Sequence, residues 1–173
     1  RINNGEMPLF SKDATDFFLF PEIDAIKAAD WVVDLVSHRV PNKFGFDPIR
    51  DIQVLTPMHR GASGVTELNE RLQNALNPED PRKAEVRHGS RVFRVGDRVM
   101  QIRNDYDRQI FNGDLGMIAS IDTENHIVMV NFDERLVPCE TVQLDELVHA
   151  YAISIHKSQG SEFPVVVIPI LMQ

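Results

Sequence analysis

The sequence predicts an α/β fold: a parallel sheet covered by helices and carrying an inserted small antiparallel β-barrel. Three observations predict it. Residues 150–155 and 163–168 are apolar runs on either side of a polar turn. The second run has no charge and three consecutive valines, as in a strand buried on both faces of a parallel sheet. Residues 52–56 form another apolar run, which ends at Pro57 and leads through a glycine-bearing turn into a helical pattern. Between these, residues 91–148 break into short alternating runs punctuated by Gly-Asp, Asn-Gly-Asp and Glu-Asn, the pattern of a small antiparallel barrel.

In chain order, residues 1–10 are turn-rich and read as an entering linker. Phe-Phe-Leu-Phe at residues 17–20 predicts a buried strand. Pro21 suits the first turn of a helix. The apolar face of that helix takes Ile23, Ile26, Trp31, Val33, Leu35 and Val36, and Pro41 stops it. On this periodicity Trp31 belongs to the core rather than to a base-stacking surface. Strand 52–56 follows, then a helix with Val65, Leu68, Leu72 and Leu76 on one side and Ser63 as its cap. Residues 77–90, with two prolines and mixed charge, read as a connection without regular structure. Barrel strands are expected at residues 92–95, 98–102, 117–121, 126–132, 136–137 and 142–144. The run from Ile127 to Asp133-Glu134 imitates a strand ending in a magnesium-holding acidic pair. It follows a tight turn, so it reads as a hairpin strand with a polar end.

Net charge is −8 over 173 residues, which limits any general nucleic-acid-binding surface. Residues 87–108 nevertheless hold six arginines against three aspartates, so a local basic face on an acidic body is expected. Arg91, Arg94, Arg98, Arg103 and Arg108, with Tyr106 and Phe111 near a loop tip, fit a phosphate-holding and base-stacking surface. Stacking on such rings contributes about 1–3 kcal/mol per base. A rigid protein-contact module is the alternative, because a small barrel does not by itself specify what it binds. One cysteine, Cys139, excludes an internal disulfide and fits a reducing compartment. No apolar run reaches the length of a membrane span and no signal-peptide pattern opens the chain, so a soluble intracellular protein is expected. The chain begins at Arg1 and ends in Leu-Met-Gln directly after an apolar run. Both ends read as cut, as in a piece of a longer protein.

The polar turn at residues 155–162, Ile-His-Lys-Ser-Gln-Gly-Ser-Glu, resembles motif V of superfamily 1 DNA helicases, in wording closest to the RecD-like branch. Residues 51–61, Asp-Ile-Gln-Val-Leu-Thr-Pro-Met-His-Arg-Gly, resemble motif IV of the same family, with His59 where RecD-like sequences often carry tyrosine. Val95-Gly-Asp-Arg-Val-Met and Asn112-Gly-Asp-Leu-Gly resemble the small SH3-like barrel of that branch. The resemblance implies a RecA-like second motor domain at residues 1–88 and 144–173, incomplete at its C-terminus, with an SH3-like barrel inserted at 89–143. It implies that Arg60 reaches the terminal phosphate of ATP as the catalytic cation, and that Gly160 and Glu162 also face ATP. Ser154, His156, Lys157 and Ser158 would face single-stranded DNA, with Arg94, Arg98, Arg103 and Tyr106 of the barrel helping to clamp it. The resemblance further implies 5′ to 3′ movement and a bacterial cytoplasmic location.

No Gly-x-x-x-x-Gly-Lys-Ser/Thr loop, which cradles phosphates through backbone amides, occurs in the sequence. In the family that loop and the acids serving Mg²⁺ lie in the N-terminal motor domain, and the arginine finger lies beyond motif V. Such an arginine changes phosphoryl-transfer rates by about 10³–10⁵-fold. The chain alone is therefore expected to bind single-stranded DNA and one side of the ATP cleft without hydrolysing ATP. Its expected partners are DNA and the N-terminal motor domain of the same protein, with no membrane. Two other readings stand beside this one: a non-enzymatic nucleic-acid or protein-interaction module acting through the barrel, and an RNA helicase of the same superfamily.

Overall fold

The computed structural model describes residues 4–5 and 15–171, so the linker read at residues 1–10 lies outside the described residues apart from 4–5. β1 (Ile52–Thr56) is the centre of a three-stranded sheet, and all five of its residues are buried. It pairs in parallel with β9 (Ala152–Ser154) on one side and β10 (Val165–Val167) on the other. The valine run was expected to be buried on both faces. It forms β10 at one margin of this sheet and is only half-buried, because β1 takes the central place.

Before the sheet comes α1 (Ala25–Asp34), whose first turn is capped by Asp24; its carboxylate accepts from the Ile26 and Lys27 amides, both at 2.9 Å. Pro21 therefore lies outside the helix, and Ile23, 98% exposed, takes no part in its apolar face. Pro41 does not stop the helix either. The chain continues through a π-helical turn (Leu35–Arg39) into α2 (Val40–Phe44), and ends at Gly45 in the left-handed region. Pro41 falls in the first turn of that last segment, directly after the π-helical turn, where the chain stays helical without its N–H. The expected strand at residues 17–20 is not formed: all four large side chains are exposed, and two of them lie against helical residues. Phe20 packs on Trp31 with ring centroids 5.4 Å apart, and Phe18 on Phe44 at 5.9 Å. Trp31 is accordingly only partly buried, with the Arg39 guanidinium 4.4 Å above its ring.

α3 (Val65–Leu76) covers the sheet beside α1, and Leu68 and Leu72 bury against Ile52, Val54, Ala29 and Val32. Its cap is Gly64 rather than Ser63, whose buried hydroxyl donates to the Ala25 carbonyl instead. The connection after α3 is less irregular than its prolines suggest. Within it β2 (Glu85–His88) pairs antiparallel with β3 (Arg91–Arg94).

The five-stranded antiparallel sheet runs in the order β7-β6-β5-β4-β8. Its members are β4 (Arg98–Gln101), β5 (Leu115–Asp122), β6 (Ile127–Phe132), β7 (Arg135–Glu140) and β8 (Leu147–His149). With the β2–β3 hairpin they make the SH3-like barrel, closed over Phe93, Val99, Ile118, Val130, Phe132 and Leu144. Residues 142–144 were expected as a strand but lie in a 3₁₀ turn (Thr141–Glu146). The closing strand is β8, past residue 143. Asp133 and Glu134 form the β6–β7 hairpin tip, with φ of 44° and 68°.

Leu55 and Ile153, on the sheet face away from α3, pack with Met100 of the barrel and with Ala150, and Phe163 leans on this cluster. One apolar joint thus seats the barrel on the parallel sheet. Of the described residues, no helix is long and apolar enough to cross a membrane.

Candidate functional site

In a parallel sheet the loops after the strands emerge at one end, where ligands of such sheets collect. The register sets Thr56 of β1 beside Ser154 of β9. The loop carrying Arg60 and the turn carrying His156, Lys157 and Ser158 therefore leave the sheet at the same end, side by side.

The first loop is tightly built. The Thr56 hydroxyl donates to the Ser63 carbonyl at 2.8 Å, and the Met58 carbonyl accepts from the Val65 amide at 2.9 Å. Gly64 is required by close approach: a Cβ there would lie 2.6 Å from the Arg60 carbonyl carbon and oxygen. The loop is thus folded back on the start of α3, and Arg60 is left at its exposed crest. Among the described residues no hydrogen bond or ion pair engages the Arg60 side chain. Thr66 and Glu67, in the first turn of α3, carry amides with no partner inside the helix. An unpaired guanidinium beside such a helix start is suited to anions.

The second segment leaves β9 as a 3₁₀ turn (Ile155–Ser158). β10 begins opposite Ile52, at the other end of β1, so residues 159–164 carry the chain back along the sheet. Gly160, at φ 85°, opens that return, and Glu162 lies further along it, next to Phe163. Both are exposed. The Lys157, His156 and Glu162 side chains, like that of Arg60, have no hydrogen-bond or ion-pair partner among the described residues.

A groove of about 530 Å³ opens between α3, the start of β3 and the end of β9. Ser154 and Lys157 line it, together with His59, Arg91, Asn69 and Gln73. Partial burial lowers the Lys157 pKa below that of a free lysine. Of the four residues read as DNA-facing, Lys157 and the 5% exposed Ser154 line this groove, whereas His156 and Ser158 do not, and the Ser158 hydroxyl donates to the Ile155 carbonyl at 2.8 Å.

The expected basic face of the barrel is corrected at two positions. Arg94 reaches the groove wall but is only 9% exposed, and its guanidinium donates to Glu85 at 3.2 Å and the Asn77 carbonyl at 3.3 Å. Arg98 is 6% exposed and donates to the Ile49 and Ile52 carbonyls at 2.6 and 3.2 Å. Both are too buried and too engaged to meet a phosphate. Arg94 closes on the carbonyl at the end of α3 and on the neighbouring barrel strand, and Arg98 on carbonyls at the start of β1, which a long cation can satisfy from the barrel. Arg103 is exposed but stands 3.9 Å from both Asp145 and Glu146. Tyr106 is exposed, edge-on to Phe111 at 5.9 Å, on a barrel loop that does not line the groove.

Sequence reading missed the polar centre of the joint. Fully buried Asp97 accepts from Gln73 and Asn77 of the α3 end (2.7 Å each), the Arg94 amide (2.7 Å) and the Tyr151 hydroxyl (2.9 Å). His149 stands 3.2 Å away. Burial pushes the Asp97 carboxyl up, but these bonds, that to His149 foremost, outweigh it and hold the group below the usual carboxylate range. Burial of Tyr151, and after it the same carboxylate, push the phenol upward. The available signal was Asn69 and Gln73, amides one turn apart on the helix, each adjoining a leucine of the apolar face. Asn69 in turn donates to the Ala152 carbonyl at 2.7 Å and accepts from its amide at 3.0 Å.

Among the described residues no group of three His, Cys, Asp or Glu side chains could hold a metal ion.

Residues 68–132 match the ATP-dependent RecD-like DNA helicase SH3 domain, and residues 149–173 match the UvrD-like helicase C-terminal domain, which takes in the whole turn after β9. The chain is RecD-like. It is 40% identical over 112 residues to the ATP-dependent RecD2 DNA helicase of Deinococcus radiodurans, a match covering 65% of this chain and 15% of that protein. It is 30% identical over 120 residues to the RecD subunit of the RecBCD enzyme of Buchnera aphidicola, covering 68% of this chain and 19% of that one. The RecD-like chain thus spans less than a fifth of the length of these curated relatives. An unliganded Pif1 from Bacteroides sp. overlaps 69% of this chain and 46% of its own, at 24% identity and a TM-score of 0.46.

Proposed function

We propose that this chain is the C-terminal part of an ATP-dependent DNA helicase, holding single-stranded DNA and one side of the ATP cleft. The observation that supports this best is the parallel register of β1 and β9. It sets the unpaired Arg60 and the His156–Ser158 turn at one end of one sheet. In this reading the barrel expected at 89–143 widens to take in β2 and β8, residues 85–149, and the residues on either side form the motor domain. The N-terminal motor domain of the same cytoplasmic protein closes the cleft and supplies the Mg²⁺ ligands.

The residues present fit ATP: an exposed cation at a helix start, then an open, left-handed glycine followed by a carboxylate. Bound ATP with its magnesium supplies the phosphoryl group and the energy of its transfer. Arg60 stabilises charge that develops on that group, the Gly160 amide offers a further donor, and Glu162 orients the nucleotide through the ribose. Lys157 holds backbone phosphate along the groove, and His156 offers its ring to a sugar or base. Ser154, 5% exposed, and Ser158, whose hydroxyl donates to the Ile155 carbonyl at 2.8 Å, shape the turn that carries them. Opening and closing of the cleft alters the grip of this turn because one short segment joins both ligands.

The test measures binding of a labelled single-stranded DNA to the purified chain, with matched RNA as competitor. Tight, salt-sensitive DNA binding that weakens in Lys157→Gln is expected. Binding that survives this change but is abolished on removing residues 89–143 supports the barrel-only module instead, and equal competition by RNA removes the assignment to DNA. ATP turnover by the chain alone above a buffer blank would overturn its proposed dependence on the N-terminal domain.

A further inference from the structure

Arg98 of the barrel reaches the amino end of every strand in the parallel sheet. Its guanidinium donates to the carbonyl of Ile52, the first residue of β1, and to that of Ile49 just before it. Its main-chain carbonyl accepts from the Ala150 amide at 2.9 Å, immediately ahead of β9. Its guanidinium carbon lies 5.8 Å from the ring of Phe163, two residues ahead of β10. No carboxylate forms an ion pair with it among the described residues. Burial lowers its pKa to about 10, against the opposing pull of Tyr151, Asp47 and Asp51, so it is still a cation at neutral pH. A guanidinium suits this seat better than an ammonium, because its planar fork reaches several carbonyls and still presents a flat face to a ring.

What this cation controls is the segment before β10. Residues 159–163 have no regular structure, and the Glu162 side chain has no hydrogen-bond or ion-pair partner among the described residues. Main-chain tethers hold Ser161, whose amide donates to the Ser158 carbonyl at 3.0 Å, and Val165, whose amide donates to the Asp51 carbonyl at 3.1 Å. Between those two points the side chain of Phe163 is the remaining anchor, packed on Leu55, Met100, Ala150 and Ile153 and facing Arg98.

We propose that Arg98 is a positioning residue: through the face of Phe163 it fixes where Glu162 meets the nucleotide, so that the seating of the barrel sets the affinity for ATP. This rests on the proposed nucleotide-facing role of Glu162. The barrel then acts on both ligands, touching DNA at the groove and nucleotide at a distance, through one buried side chain.

The experiment uses a full-length RecD-like enzyme containing this chain, and reads KM for ATP, kcat, single-stranded DNA affinity and Tm for Arg98→Met, Phe163→Leu and Glu162→Gln. Phe163→Leu keeps the apolar packing and removes only the ring face. A cation–π contact of this kind corresponds to about a two- to fivefold effect. The expected result is a rise of about that size in KM for Phe163→Leu, a larger rise for Arg98→Met, and kcat unchanged in both. If Glu162→Gln raises KM while Arg98→Met and Phe163→Leu lower only Tm, Arg98 is a structural clamp and the inference falls. If Glu162→Gln leaves KM unchanged, the nucleotide-facing role of Glu162 falls and takes the inference with it. Should Arg98→Met fail to fold, Phe163→Leu alone decides.

Discussion

The barrel and the carboxyl end of the parallel sheet treat charge in opposite ways. In the barrel and its joint, Arg94, Arg98, Arg108 and Asp97 are each surrounded by partners from the same chain. Arg108 alone donates to Asp105, the Pro138 carbonyl and Gln143. At the carboxyl end, Arg60, His156 and Lys157 have none among the described residues, although both regions are comparably polar in sequence. A side chain whose bonds are already made contributes to holding a fold. One left bare on a tightly built loop is available to something else. The difference separates the scaffold from the candidate site more clearly than residue type does.

The comparison breaks first, and by most, at Asp97. Asp97→Ala strands two amide groups, a backbone N–H and a phenol in the interior, and should destabilise the chain by about 3–5 kcal/mol in denaturant unfolding. The sign of the pH effect follows from its lowered pKa. The stabilisation is present above the ordinary carboxylate range and is lost as pH falls through the depressed folded value. Asp97→Asn should therefore be less stable at neutral pH, and its acid unfolding curve should be flatter than that of the parent. A parent and variant of equal stability would mean that the joint is not held by its polar centre.

At the other pole, Arg60→Ala should leave Tm within measurement scatter while lowering ATP turnover of a full-length enzyme by about 10²–10³-fold, as loss of one preorganised charge-stabilising donor does. A large fall in Tm would instead place Arg60 with the scaffold. Between these lies Gly116 of β5, where a Cβ would fall 2.7 Å from Val130 Cγ1 and 2.8 Å from Phe132 Cδ1. Gly116→Ala should cost about 1–3 kcal/mol through overpacking, read by thermal unfolding, without altering DNA affinity. Reduced DNA affinity at equal stability would show that the barrel core is coupled to the groove.

How much of this could be read from the sequence differs between the same two regions. Strand 52–56, the helix from Val65 to Leu76 and the turn after Ser154 were legible, since apolar period and glycine placement act locally. Arg60 and the His156–Ser158 turn leave the sheet at one end because two parallel strands deliver them there, whereas Glu162 lies on the return toward the other end of β1. The barrel arginines were misjudged because charge along a sequence does not say which way a strand faces. Arg94 and Arg98 turn inward, and only the pairing of β3 with β2 and of β4 with β5 and β8 decides that. Residues 17–20 failed for a related reason: an aromatic run looks like a strand, but strand formation needs a neighbour to pair with. Phe20 found Trp31 and Phe18 found Phe44 instead.

The smallest effect bears on the sharpest point of the contrast, whether a bare cation here is available to phosphate. Lys157 lies on the groove wall with its pKa lowered by burial and no carboxylate to offset it. A bound phosphate would supply that missing counter-charge, so binding should raise the lysine pKa and be stronger at neutral pH than at alkaline pH. Each neutralised phosphate on a single strand adds about 0.7 to the slope of log affinity against log salt. Lys157→Gln should therefore reduce that slope by about 0.7 and remove the alkaline weakening, with Tm unchanged. Arg103→Gln should change the slope less, because Asp145 and Glu146 already stand near that guanidinium. Equal slopes for the parent and Lys157→Gln would mean that the groove holds its strand without this lysine, and the division between committed and available charge would have to be redrawn on the barrel side.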